Sequence, residues 1–187
     1  MPRRETPRRW PRALAVLALL TLTGVFLLRR GLSLEPHHSL RAPSATLSEE
    51  LANEADVVLA RPRDVPQAID RALSLTGRSL RFGLWHRGSS RFSVEPREGH
   101  CVEYANLFAA LVQRWANTHA VPARAWVVRS RARLWGQRVP LPGWADHDWV
   151  LVTHRDGRRW MIDPTFSDLW LGEDLTLAVL DPPRAPR

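Results

Sequence analysis

The chain has 187 residues, 44% of them apolar and 25% charged, with a single cysteine. That length and apolar content supply one sizeable core and little more than one domain, which excludes a disordered protein, and one cysteine excludes a disulfide scaffold. The formal charge is +8, carried by 27 basic residues that are all arginine; such a balance usually points to nucleic acid, but its placement along the chain argues otherwise.

Residues 1–30 hold seven arginines against Glu5, whereas residues 31–187 hold twenty against eighteen acids. Most of the excess therefore belongs to a short N-terminal stretch, and no nucleic-acid partner is expected for the nearly balanced remainder. Between Arg12 and Arg29 lie sixteen uncharged residues, Ala13 to Leu28. As a helix they cover roughly 24 Å, short of a hydrocarbon core of about 30 Å. Trp10 at the interface and snorkelling Arg12, Arg29 and Arg30 extend the span. Residues 13–30 read as an uncleaved signal anchor in contact with membrane lipid, behind a basic cytoplasmic segment at 1–12. The alternative is a cleaved signal peptide, whose best small-x-small site, Gly31-Leu32-Ser33, directly follows the arginine pair. Arg3, Arg4, Arg8, Arg9 and Arg12 outnumber Arg29 and Arg30, so the N-terminus is expected in the cytoplasm and the globular domain outside, in the periplasm or at the cell exterior.

Residues 31–45, with Pro36, His37, His38 and Pro43, read as a linker to a domain at 46–187. Two adjacent histidines in a mobile polar segment make a poor ligand set, and no metal or cofactor is expected. Thr46-Leu47-Ser48-Glu49 fits a capping box opening a helix through about Ala60. Asp64 to Gln67 repeats the pattern, and a second helix stops at Gly77. The stretch from Ser79 to Glu98 reads as loop with at most short extended pieces. From Cys101 to about Asn117 runs a helix apolar on more than one face, which predicts a central, mostly buried element. Val121-Pro122 ends it. Strands follow at Ala123 to Ser130, His147 to Thr153 and Arg159 to Asp163, the last two forming a hairpin through Asp156-Gly157, with a loop at 131–145 before them. Helices followed by a helix feeding an antiparallel sheet predict an α+β fold.

Cys101 begins the buried helix, where the positive end of the helix dipole and unpaired N–H groups favour thiolate over thiol. The bland reading is an inert buried cysteine. Two downstream residues argue for chemistry. His147 opens one strand and Asp163 closes its hairpin neighbour, so a carboxylate on His147 Nδ1 could orient the ring while Nε2 faces the thiol. Pro164 biases the Asp163 backbone to extended geometry.

Gly99-His100-Cys101-Val102-Glu103-Tyr104-Ala105, with Leu107, Phe108, Leu111 and then Val121-Pro122-Ala123-Arg124, resembles the transglutaminase-like superfamily, in which G-x-C-x-x-Y-A opens the nucleophile helix and G-[IV]-P-[AS]-R leads into the sheet. His147-Asp148-Trp149-Val150 is similar to that family's H-x-W-[VN] strand, and Trp160-Met161-Ile162-Asp163-Pro164-Thr165 to its closing W-x-x-x-D-P-[TS] strand. The three blocks span about residues 95–166 in family order. The resemblance implies a papain-like core with Cys101 as nucleophile, His147 as general base and Asp163 as orienting acid, acting on a peptide, protein or cell-wall amide by acyl transfer through a thioester. Two positions depart from the pattern: Ala120 stands where the family usually has glycine, and Asp148 replaces the alanine common after the histidine. Asp148 either points to the opposite face of the strand or reaches the imidazole and raises its pKa.

An oxyanion hole needs donors. The Cys101 N–H is the first candidate, and Trp85 the second, by resemblance to relatives that use an upstream indole; core packing is the competing role for Trp85. Trp135 and Trp144, before His147, are candidates for the rim of a substrate cleft, while Trp149 and Trp160 read as core beneath the site. Arg124, Arg129, Arg131, Arg133 and Arg138 read either as a solvated or membrane-proximal face or as a cleft wall attracting carboxylate-bearing substrates. The competing functional class is a catalytically silent transglutaminase-like binding or scaffold module at the cell envelope, against which the intact Cys, His and Asp set argues.

Overall fold

The computed structural model describes residues 23–24, 31–83, 90–138 and 146–168. Most of the expected anchor at 13–30, Trp85, Trp144 and the chain from residue 169 lie outside that set. Among the described residues no helix is long and apolar enough to cross a membrane.

The fold is α+β. In chain order it comprises strands β1 (Leu32–Arg41) and β2 (Thr46–Leu47), helices α1 (Glu49–Val58) and α2 (Val65–Ser79), short strands β3 (Leu80–Phe82), β4 (Arg91–Phe92) and β5 (Arg97–Gly99), and helix α3 (Cys101–Thr118). Strands β6 (Ala123–Leu134), β7 (Gln137–Arg138), β8 (Asp146–His154) and β9 (Arg159–Ile162) follow, and a short helix α4 (Pro164–Asp168) ends the described chain. The main sheet runs β1-β6-β8-β9 with β7 paired to β6, and all of its pairings are antiparallel.

Helix α3 is the centre of the molecule. Tyr104, Leu107, Phe108, Leu111 and Val112 are fully buried, packed with Ala125 and Val127 of β6, Val150 and Val152 of β8, and Leu51, Ala55, Ala72 and Leu75 of α1 and α2. Burial on all sides follows from an apolar pattern wider than one stripe. A second, smaller cluster gathers Val128, Trp149 and Met161. Alternation along the strands puts it on the opposite sheet face from Val127 and Val150. Trp149 is therefore core on the far side of the sheet from α3.

Several expectations change. Residues 32–41, read as part of a linker, form the edge strand β1, pairing from Leu32 with Leu134 to Arg41 with Val127 and shifting register between Pro36 and Leu40. Proline argues against a central strand but is tolerated at an edge. Strand β6 likewise continues four residues past Ser130 to Leu134, and the chain then turns through Trp135 and Gly136, at φ 51° and 77°. Ser48, not Thr46, caps α1, its side chain accepting from the Leu51 N–H at 3.2 Å. Thr46 is engaged in β2, which pairs with β4. Helix α2 begins as expected, with Asp64 accepting from the Gln67 N–H at 2.9 Å, but runs through Gly77 to Ser79. A Cβ at Gly77 would lie 3.0 Å from Asp168 Oδ1, so this glycine leaves room for α4 instead of stopping the helix.

Candidate active site

Three elements meet at the first turn of α3. His100 is its N-cap residue, in extended geometry, and Cys101 is its first helical residue. The Glu103 carboxylate reaches back to accept from the His100 N–H at 3.0 Å, closing the start of the helix. Gly99 has no left-handed φ; a Cβ there would press on Leu80 and on Glu103 at 3.1 and 3.2 Å. Close approach of β3 to this turn, not backbone freedom, is what requires glycine.

Strand β9 pairs with β8 only as far as Ile162 opposite Val150, so β8 runs on towards Asp146 beyond its partner. There the His147 imidazole and the Asp148 N–H both act to lower the pKa of the Cys101 thiol. Asp163 follows β9 and acts on two fronts. Its Oδ1 accepts from the N–H groups of Thr165 and Phe166 at 3.1 and 3.2 Å, which makes it the cap of α4 with Pro164 at the first position. Its Oδ2 pairs with His147 Nε2. The cap fixes the carboxylate, and the carboxylate fixes the ring, on which Phe166 packs at 5.3 Å between centroids. The ring nitrogens are thus exchanged relative to the expectation: Nε2 takes the carboxylate, which leaves Nδ1 for the thiol.

His100 is the residue that sequence reasoning missed. Its Nδ1 lies 3.0 Å from Cys101 Sγ, and its ring packs near Phe82. The sulfur therefore has an imidazole from each of two elements, α3's own cap and β8. Only the contact itself reveals this, because adjacency in sequence does not fix the direction of a side chain.

Electrostatics follow from these contacts. Burial pushes the Cys101 thiol up, but hydrogen bonds from His100 and His147, the charge on His147 and the Asp148 N–H outweigh it and hold the thiol at about 7. Burial pulls His147 down, but the Asp163 carboxylate and the thiolate outweigh it and raise the ring to about 10. One ion pair thus appears in both shifts. Between those values the site holds a thiolate beside an imidazolium. His100 is also raised, first by its hydrogen bond to Cys101 and against the effect of burial.

Asp148 takes the first of its two expected positions. It is 1% exposed, and its carboxylate is held by Arg129 Nε at 3.1 Å and by Arg41 at 2.7 Å, not by His147. Trp135 is exposed at the turn after β6. Tyr104, one turn into α3, donates to Asp168 of α4 and so ties the helix carrying Cys101 to the one capped by Asp163. Among the described residues no group of three or more His, Cys, Asp or Glu side chains is arranged to hold a metal ion. Asp163 meets His147 across the hairpin and Cys101 lies at the same end of the sheet, while Trp85 and Trp144 lie outside the described residues. No family model, no curated protein and no solved structure matches the chain.

Proposed function

We propose that the chain is a membrane-anchored cysteine enzyme of the transglutaminase-like kind, cleaving or transferring the acyl group of a peptide, protein or cell-wall amide. The observation that carries this reading is a lone buried thiol at the first turn of a buried helix, 3.0 Å from one imidazole and beside a second whose Nε2 pairs with the aspartate that caps the next helix. An inert core cysteine has neither partner, and burial alone would push its thiol up.

In this reading the Cys101 thiolate attacks the amide carbonyl, and the N–H of Cys101, among the first four of α3 that lack an acceptor within the helix, faces the developing oxyanion. Imidazolium His147 gives its proton to the leaving amine, and the acyl group remains on sulfur as a thioester. Water or an acceptor amine then attacks the thioester, with His147 taking the proton back. Asp163 keeps the ring oriented and stabilises its charged form throughout.

The anchor at 13–30 and its arginine bias support an N-terminus inside the cell and this site outside it. Full-length wild type and Cys101→Ala, compared on a panel of peptides and muropeptides, test the reading. Turnover of any amide by wild type alone supports it, and equal release by both proteins contradicts it. Protease digestion of intact cells and spheroplasts tests the topology, and a domain protected in spheroplasts contradicts it.

A further inference from the structure

The face of the main sheet that α3 covers changes character at the first turn of that helix. Val127 and Val150 face each other across β6 and β8 beneath the helix and are buried. Two residues further along, on the same face by strand alternation, stand Arg129 and Asp148, and two further Arg131 and Asp146. Arg41, paired with Val127 from the β1 side, joins the same face. The apolar floor beneath the helix thus gives way to arginines level with Asp148, the strand neighbour of His147.

A buried carboxylate needs counter-charge and hydrogen-bond donors, and guanidiniums supply both. Asp148 has two: Arg41 and Arg129 each offer it one nitrogen, at 2.7 and 3.1 Å, while their side chains stay 43% and 41% exposed. Arg41, Arg129 and Arg131 against Asp146 and Asp148 leave this face one unit of positive charge, and the forks of Arg41 and Arg129 keep N–H donors directed elsewhere than Asp148. Arg129 also senses the site. Its pKa is raised first by the hydrogen bond and charge of Asp148, and further by Asp146 and by Cys101, which places its guanidinium within electrostatic reach of the sulfur.

From this arrangement we infer that Arg41 and Arg129, held in place by Asp148, form a carboxylate-binding wall beside Cys101, so that the amide substrate carries a carboxylate close to its scissile bond. The inference rests on the acyl-transfer reading of Cys101 and narrows its substrate class. A planar carboxylate matches the guanidinium fork, and the positive wall offsets the repulsion that a thiolate exerts on an anionic substrate. Asp148 is a positioning residue: it holds both forks and touches no substrate.

The test compares two alkylating agents of similar size, anionic iodoacetate and neutral iodoacetamide, on the full-length protein. With either reagent the thiolate displaces iodide and forms a thioether, so the ratio of the two rates reports the local preference for an anion. The expected ratio exceeds that of free cysteine, falls roughly three- to tenfold in Arg129→Gln and Arg41→Gln, is largely kept in Arg129→Lys, and shrinks in high salt. The double variant Arg129→Gln/Asp148→Asn removes the charge without leaving a buried carboxylate half-paired, and a folded double variant with a lowered ratio counts for the wall. A ratio equal to that of free cysteine and unmoved by these substitutions, with iodoacetamide still fast at neutral pH, overturns the wall and leaves the acyl-transfer reading standing. A thiol no faster than free cysteine with both reagents overturns both.

Discussion

The two ends of α3 are both packed into the core and differ in chemistry. From Leu107 to Trp115 the helix buries apolar side chains against the sheet and the two preceding helices. In its first turn it buries Cys101 and Glu103, next to His100, Asp148 and Asp163. Buried polar groups are costly unless paired, and here each has a partner: Glu103 the cap N–H, Asp148 two arginines, Asp163 an imidazole and two N–H groups. The apolar half supplies the cohesion that lets the polar half hold a thiolate in a set direction. Stability and reactivity are thus assigned to separate turns of one helix.

Substitutions at the two ends should separate those roles. The largest effect is expected at the polar end. His147→Gln, which keeps a hydrogen-bond donor for the buried Asp163 carboxylate, should lower kcat by about 10²- to 10⁴-fold on any substrate found for the wild type, with little change in the thermal midpoint. A variant that unfolds, or one that retains full kcat, would break the division. At the apolar end, Phe108→Ala should destabilise the fold by about 3–5 kcal/mol in denaturant titration, while the thiol of the fraction still folded titrates as in wild type. A shifted thiol midpoint in folded Phe108→Ala would mean that the two halves are coupled.

Which parts of this were legible beforehand follows from the range of the interactions. Helix α3 and the hairpin of β8 and β9 were readable because their patterns are local, and Cys101, His147 and Asp163 because each stands at the end of such an element. The start of α2 was also readable, since Asp64 and Gln67 lie within one turn. Strand β1 was not, because its partner β6 begins some eighty residues later and Pro36 signals a break when read locally. Ser48 displaced Thr46 as a cap for a similar reason: the choice depends on β4, in a distant loop. The clamp on Asp148 joins residues 107 positions apart, and no periodicity encodes it.

The smallest of these effects concerns His100, which sharpens the comparison within the polar turn itself. His100→Ala should raise the midpoint of thiol titration and slow alkylation at neutral pH, and His100→Gln, which keeps a hydrogen-bonding side chain beside the sulfur, should restore part of the loss. An unmoved midpoint in His100→Ala would assign the whole depression of the thiol to His147, the Asp148 N–H and the helix end.

The most direct measurement of the central claim is the rate of Cys101 alkylation by iodoacetamide as a function of pH, in wild type and His147→Ala. Thiolate is the reacting form, so the rate should rise with pH through the thiol midpoint, at about 7 in the wild type. Loss of the imidazolium should move that midpoint up towards the ordinary thiol range, about 8.5. A wild-type midpoint already in that range, unchanged by His147→Ala, would contradict the account.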